Sequence, residues 1–405
     1  MISVKEAQDI ILAEIVRMRQ EKVLLSNALG RVLSDSVTSP LNNPPWDTSA
    51  MDGYAVRLSD VVTASRKNPQ RLKVVEEIPA GKMPQRKVGR GEAAKIMTGA
   101  PLPEGADAVV KVEETKTEER EVAIFTTPES GEYIRQKGEA IRLGAPVLAK
   151  GIRLRSAEIA MLASLGIVVV PVYQKPRIAI LSTGNELAEL GESPGNNKIF
   201  NCNGYGLMAQ VMEAGGIPVN LGIARDTKEA LLEKVKEGSF TDFLLISGGV
   251  SMGDYDYVIE VLTALGVKMR FWKVAMKPGK PLAFGMLAGC PIFGLPGNPV
   301  SSMVTFEQFV RPALLFSAGR SDLFRPPVTA KLEKDVHRLP GRRHFIRAIV
   351  SIKNGEYRVR STGDQDSAIL MSLVKSNALM ILPPDTGILQ AGRKVSVQLL
   401  SEVTS

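Results

Sequence analysis

The sequence predicts a multidomain α/β and β protein, with a central doubly wound, mostly parallel α/β domain and smaller β domains beside it. Three observations carry that expectation. The chain is 405 residues long, more than one ordinary core organises. From residue 176 to about 315, short apolar runs alternate with helical patterns, as strands do when they cross over to parallel neighbours. Residues 72–127, and those beyond Pro326-Pro327, read instead as short strands joined by turns.

Taken in order, Val4, Ala7, Ile11, Leu12, Ile15 and Met18 recur at helical spacing and predict a helix over 3–20. Ser3 and Glu6 stand at capping-box spacing at its start. Pro40-Leu41-Asn42-Asn43-Pro44-Pro45 breaks the chain. Turns at Pro79-Ala80-Gly81 and Pro101-Leu102-Pro103-Glu104-Gly105 then punctuate a small all-β segment. In the α/β region the expected strands are Arg177–Leu181, Ile217–Ile223, Phe243–Ile246, Lys268–Trp272 and Ile292–Leu295. The expected helices are Tyr205–Glu213, Lys228–Lys236, Val258–Leu265 and a long one from Val300 to Leu315. Val328–Val336, Phe345–Ile352, Tyr357–Arg360, Met380–Leu382 and Val395–Leu399 read as the strands of a second small β domain.

Composition narrows the function. The hydrophobic fraction of 44% and charged fraction of 23% are those of a globular chain in water. Met1-Ile2-Ser3-Val4-Lys5-Glu6 has no signal-peptide core, and no run approaches the roughly 20 apolar residues of a membrane span. A cytoplasmic protein with no membrane contact is expected. Cys202 and Cys290, with His337 and His344, offer neither a disulfide framework nor zinc spacing. Any metal is therefore expected on oxygen ligands or on the substrate's own atoms. The net charge of +8 predicts an anionic partner. Scattered Lys and Arg and only 5% aromatics argue against nucleic acid and for an anionic small molecule.

Three loops follow predicted strands: Ser182-Thr183-Gly184-Asn185-Glu186, Ser247-Gly248-Gly249-Val250-Ser251-Met252-Gly253, and Gly294-Leu295-Pro296-Gly297-Asn298-Pro299. Glycine lets backbone amides approach a ligand, and amides beside a helix N-terminus make an anion site. Thr183, Ser247 and Ser251 add hydroxyls. Each loop alone is equally well explained as a turn; three at one sheet edge are harder to dismiss. The chain has neither a Walker A loop nor a G-x-G-x-x-G fingerprint. Glu186, Asp226, Asp254 and Asp256 cluster at the same level and suit Mg²⁺, which commonly takes one or two carboxylates together with substrate phosphates. For Asp226 and Asp254 helix N-capping is the competing explanation. Lys273, Lys277 and Lys280 straddle a Pro-Gly turn and supply positive charge for an oxyanion.

Two further strings, Asp47–Val56 and Lys95–Pro101, read only as tight loops on physical grounds. Together with the others, however, they complete a set. DTSAMDGYAVR (47–57), IMTGAPLPEG (96–105), STGNEL (182–187), SGGVSMGDYDY (247–257), MKPGKPLAFG (276–285) and GLPGNPVS (294–301) resemble the signatures of the molybdopterin molybdenumtransferase family, which includes the C-terminal part of gephyrin. They run in the family's order across nearly the whole chain.

The resemblance implies a homodimer of four-part protomers. The parts are a platform (1–45 and 141–173), an inserted β domain (46–140), a molybdopterin-binding α/β domain (174–325) and a C-terminal β barrel (326–405). It implies a reaction in which adenylylated molybdopterin and molybdate, with Mg²⁺, give molybdenum cofactor and AMP. Transient contact with other cofactor-assembly proteins follows. By motif, Asp52 and Thr98 reach the cleft from the partner protomer. Glu186, Asp226 and Asp256 hold the divalent ion, position water or orient the pterin phosphate. Thr183, Gly184, Ser247, Gly248, Gly249, Ser251, Pro296 and Asn298 cradle the pterin. Lys273, Lys277, Lys280, Arg347 and Ser367 hold oxyanion oxygens. One departure stands out: where the family often reads Gly-Glu-Asp-Ile, this chain reads Gly138-Glu139-Ala140-Ile141. A tungstate-inserting paralogue and a molybdopterin-binding carrier or scaffold are the alternatives.

Overall fold

A computed structural model describes residues 1–193, 195, 197–249, 257–337 and 340–403. The expectations at Ser251, Asp254 and Asp256 lie outside those residues. The chain divides into two units: Met1–Val23, Gly30–Ser34 and Pro171–Ser405 form one, Leu24–Leu29 and Asp35–Val170 the other.

The first unit begins with helix α1 (Val4–Glu14), which buries Val4, Ala7 and Ile11. Ser3 Oγ accepts from the Glu6 amide at 3.1 Å, and the Ser3 amide donates to Glu6 at 2.7 Å, completing the expected capping box. The helix is shorter than its periodicity predicts. Ile15 is already extended (φ −80°, ψ 131°), and the Met18 amide docks instead on the Ser317 carbonyl at 2.8 Å.

The central sheet contains β1 (Arg177–Thr183), β2 (Ile217–Ala224), β3 (Phe243–Ser247), β4 (Lys268–Trp272), β5 (Ala283–Leu287) and β6 (Cys290–Leu295), in spatial order β2-β1-β3-β6-β5-β4. Three pairings are parallel and the two at the β4 edge antiparallel. Period-two alternation sends Ile178, Ile180, Phe243, Leu245 and Phe293 to one face, against helix α2 (Cys202–Glu213) and the last helices. Ala179, Leu181, Leu244, Ile246 and Ile292 face the other way, onto α3 (Lys228–Gly238) and α4 (Tyr257–Ala264). Both faces are buried, which is why these strands read as unbroken apolar runs. β5 has no counterpart among the expected strands. It returns through Ala288 and Gly289, both at positive φ, and alanine is not a residue that marks such a turn.

The expected long helix is real but interrupted: α5 (Pro299–Thr305) passes through a π-helical turn (Phe306–Val310) into α6 (Arg311–Ser317). That turn presents buried Glu307 and Gln308. Glu307 accepts from Arg325 Nε at 2.8 Å and from Gln398 at 2.9 Å, and Gln308 donates to Gln398 at 2.8 Å. Both buried polar side chains thus reach Gln398 on the last strand of the chain, because buried polar groups demand partners.

That strand belongs to a closed barrel of β7 (Pro327–Leu332), β8 (Arg343–Lys353), β9 (Glu356–Ser361), β10 (Ala378–Leu382) and β11 (Lys394–Leu399). The order is β8-β9-β7-β11-β10, and β10 pairs back onto β8. Ile346, Ala348, Val350, Val359, Met380 and Val397 fill its interior.

The second unit is built on a mixed six-stranded sheet whose neighbours run Ala108–Lys111, Gly53–Val56, Glu92–Ile96, Gln70–Ile78, Glu121–Ile124 and Thr115–Glu118. Gly53 is dictated by packing: a Cβ there would stand 2.0 Å from the Val110 carbonyl oxygen.

Candidate active site

Register in the central sheet determines what meets at its carboxyl edge. Ser182 of β1 lies opposite Ser247 of β3, and Ser247 opposite Leu295 of β6, so all three loops leave the sheet side by side. On the other flank Thr183 pairs with Ala224 of β2, two residues before Asp226. β2 and β3 flank β1 on opposite sides, and ligands of open α/β sheets bind at such a switch of strand order.

A cavity of about 1150 Å³ opens there, lined wholly from the first unit. It is large for a small-molecule site. Of the expected site residues, Thr183, Gly184, Glu186, Asp226, Ser247, Gly248, Gly249, Lys277, Lys280, Pro296, Asn298, Arg347 and Ser367 line it.

The loops touch one another. Gly248 (φ +98°) packs so tightly on the first loop that a Cβ would lie 2.8 Å from both the Thr183 carbonyl oxygen and its Oγ1. Among the described residues Thr183 Oγ1 is buried with no hydrogen-bond partner. The Gly248 amide donates to the Leu295 carbonyl at 3.1 Å. Glu186 is exposed and folds its carboxylate over Gly184. Asp226 accepts from the Asn185 amide at 3.0 Å, while its own amide donates to Asn185 Oδ1 at 3.3 Å. The helix cap is therefore not Asp226 but Thr227, whose side chain accepts from the Ala230 amide.

The barrel supplies the facing wall. Met276 and Lys277 pair in parallel with Arg343 and His344 at the start of β8, which seats the Lys277–Lys280 turn beside Arg342, His344 and Arg347. Gly279 (φ +98°) lets that turn press on α5, for a Cβ would fall 2.4 Å from Thr305 Oγ1. Arg347 is only 1% exposed, and donates from Nε to Ser372 Oγ and from Nη2 to the Asp366 carbonyl, both at 3.0 Å. Ser367 Oγ accepts from Asn298 Nδ2 at 2.7 Å, and its carbonyl accepts from the Val300 amide at 3.1 Å. The third loop and the barrel are thereby stitched together.

The structure does not bring every expected residue to the cavity. Lys273 sits at positive φ (85°) with its ammonium 4.3 Å from the ring centroid of Trp272, and is not in the lining. Its charge is directed to an aromatic face at the sheet edge. Asp52 and Thr98 belong to the second unit, where Asp52 Oδ1 accepts from both the amide and the hydroxyl of Thr98 at 2.7 Å. These two hydrogen bonds hold the Asp52 carboxyl below its ordinary value. Glu139, beside the departure at Ala140, is engaged in its own turn and accepts from the Gln136 amide at 2.8 Å.

Other lining residues escaped the sequence reading. Asn201 is buried and caps α2 by accepting from the Gly204 amide at 3.0 Å, and its Oδ1 lies 2.8 Å from Ser182 Oγ. Asn203 Nδ2 donates to Ser247 Oγ at 2.9 Å and to the Gly297 carbonyl at 2.7 Å, clamping the second loop to the third. An asparagine just ahead of a helical pattern is a capping signal that would have found Asn201. Arg342 and His344 stand in the same resembling segment, 340–347, as Arg347, but that resemblance singled out Arg347 alone.

Comparison with known proteins fits this geometry. Residues 2–166 match the family described as MoeA N-terminal region (domain I and II), 179–315 the one described as probable molybdopterin binding domain, and 329–400 MoeA C-terminal region (domain IV). A molybdopterin molybdenumtransferase of Nostoc sp. is 38% identical, covering 98% of this chain and 93% of its own. One of Haemophilus influenzae is 36% identical, with 98% of each chain covered. The solved molybdopterin biosynthesis MoeA protein from Pyrococcus horikoshii superposes with a TM-score of 0.87 at 32% identity, over 99% of this chain and all of that one.

Proposed function

We propose that this chain, which belongs to the molybdopterin molybdenumtransferase family and is a transferase of molybdenum cofactor biosynthesis, inserts molybdate into adenylylated molybdopterin and releases AMP. One observation carries the proposal: the glycine loops, the carboxylates of Glu186 and Asp226, and the cations Lys277, Lys280, Arg342 and Arg347 converge on a single cavity.

The three glycine loops and the N-terminus of α2, which opens on the cavity at Cys202 and Asn203, receive the pterin phosphate. Lys277, Lys280 and Arg347 hold the oxyanion, with Arg347 presenting a planar fork and the lysines point charges. Placing these groups before the reaction begins is the economical way to stabilise charge that develops on oxygen.

Glu186 and Asp226 suit a divalent ion such as Mg²⁺. They are hard oxygen donors on the cavity, and that ion needs only one or two carboxylates when substrate phosphates complete its shell. Asp226 accepts from Asn185 through Oδ2, so its other oxygen is the one assigned to the ion. When bound, the ion supplies charge neutralisation at the phosphoanhydride. Asp256 is assigned to the same set on its motif alone.

The protein is further proposed to work in the cytoplasm as a homodimer of four-part protomers. Exposure of Leu24 (53%), Leu29 (67%) and Val168 (66%) in the second unit supports a second copy. Asp52 and Thr98 then act in the cleft of the partner protomer. Mixing an Asp52→Asn chain with a Glu186→Gln chain should restore part of the activity that each has lost.

The deciding experiment incubates the protein with adenylylated molybdopterin, Mg²⁺ and molybdate or tungstate, following AMP release and reconstitution of an apo-molybdoenzyme. AMP release that requires molybdate supports the proposal, and a requirement for tungstate would correct the metal. Tight pterin binding with no AMP release under either oxyanion would overturn it in favour of a carrier.

A further inference from the structure

Among the described lining residues most are glycines, prolines, or hydroxyl-, amide- or charge-bearing, but one two-residue strand leaves large apolar side chains open to water. Ile199 is 62% and Phe200 44% exposed, and both line the cavity. The strand is short yet firmly held. It pairs in parallel with Leu187 and Ala188, the Ile199 amide donates to the Glu186 carbonyl at 2.8 Å, and the Asn201 amide donates to the Ala188 carbonyl at 3.0 Å. Immediately after it, buried Asn201 is fixed by Ser182 and by the α2 cap. The backbone carrying Phe200 is thus pinned at both ends to loops of the site.

We propose that Phe200 is a stacking platform for a flat heteroaromatic ring of the substrate, a subsite distinct from the anion-binding loops. This inference rests on the pterin reading above. A ring held beside phosphate-binding loops recognises a molecule that joins an anion to a planar conjugated system, and aromatic faces stack on such rings with little dependence on their edge groups. Adenylylated molybdopterin contains two such rings, adenine and pterin, so the test needs one arm for each.

Phe200→Ala, Phe200→Leu and Phe200→Trp would be compared with the parent by anaerobic calorimetric titration with AMP, ribose 5-phosphate and molybdopterin. Aromatic stacking on a base converts to a loss of about 5- to 150-fold on truncation. Phe200→Ala should lose that much for AMP if adenine is the ring, or for molybdopterin if pterin is, with ribose 5-phosphate unchanged. Phe200→Trp should bind like the parent, and Phe200→Leu like the alanine variant, because area without a π face does not stack. Since the side chain is half exposed, unchanged melting of all three variants is expected. Parent-like binding of both ring ligands by Phe200→Ala would overturn the platform alone, as would an equal loss for ribose 5-phosphate. A parent that binds neither ring ligand would overturn both the platform and the pterin reading.

Discussion

Replacing Gly248 by alanine tests whether the second loop is built directly upon the first. Gly248 has φ +98°, and its added Cβ would lie 2.8 Å from the Thr183 carbonyl oxygen and equally close to Oγ1. Gly191 has nearly the same backbone (φ +92°) with nothing within 4 Å of the added atom, so it isolates the conformational part. A non-glycine residue in that region costs about 1–2 kcal/mol. Overpacking against a rigid neighbour adds about 1–3 kcal/mol. Gly191→Ala should therefore lose about 1–2 kcal/mol and Gly248→Ala about 2–5 kcal/mol. A Thr183→Ala change added to Gly248→Ala should recover only part, because it removes the hydroxyl and leaves the carbonyl.

The assay uses the scarcity of tryptophan. The chain has two, Trp46 and Trp272, and Trp272 lies on β4 of the central sheet. In a Trp46→Phe background, urea unfolding followed by fluorescence reports on the unit that contains the cavity. Titration with molybdopterin gives the functional half: Gly248→Ala should weaken it tenfold or more, and Gly191→Ala not measurably. Equal destabilisation by the two alanines, with pterin binding intact in both, would refute the loop packing described here.

Asn203→Ala removes two donors to other loops and should cost about 1–3 kcal/mol at roughly 0.5–1.5 per hydrogen bond, read in the same unfolding assay, with a fall in kcat/KM for AMP release. Thiol titration should count one reactive cysteine in the native protein and two in denaturant: Cys202 is exposed, whereas burial pushes the Cys290 thiol up to about 12. The Thr98 contacts lower the Asp52 pKa, so the ionised carboxylate is the form that the fold prefers. Its contribution is complete above the ordinary carboxyl range and is lost as pH falls through the lowered value. The Thr98 amide proton should accordingly shift only in acid, and Asp52→Asn should abolish that titration. Asp226→Asn keeps an acceptor for the Asn185 amide but removes the charge, so AMP release should fall while the melting temperature holds; unchanged AMP release would remove Asp226 from the metal set.

The parts of the fold that were legible in the sequence are those where a local pattern and its tertiary use agree. Strands β1 and β3 are apolar over residues 178–181 and 243–246 because both faces are buried, and their ends carry the loops. α1 shows the limit: Ile15 and Met18 continue the helical period by coincidence, while Ile15 is buried in an extended backbone. The π turn at Phe306–Val310 was invisible because its justification, the Gln308–Gln398 hydrogen bond, joins residues ninety positions apart. Asp226 and Lys273 came out in opposite senses: Asp226 lines the cavity, and Lys273 does not. A residue that looked like a cap proved to be held by a neighbouring loop, and a lysine grouped with two others by spacing was turned onto a tryptophan.

The cationic wall of the cavity was the least legible part, and β8 explains why. This strand is eleven residues long, and different stretches of it answer to different partners. Arg343 and His344 pair with Met276 and Lys277, while His344 through Ala348 pair with β10 and Ala348 through Lys353 with β9. Within it Phe345 packs into the core of the α/β domain, whereas Ile346, Ala348 and Val350 fill the barrel. Arg347 shares the parity of Phe345 and so turns out of the barrel, where it lines the cavity and remains almost wholly buried. A buried guanidinium is tolerable only when its donors are met, here in part by Ser372 and the Asp366 carbonyl, so the 364–372 segment and β8 must be placed together. That segment's Ser367 is in turn fixed by Asn298 of the third loop. The position of one arginine thus depends on contacts spanning the α/β domain and the barrel, which no local run of basic residues encodes.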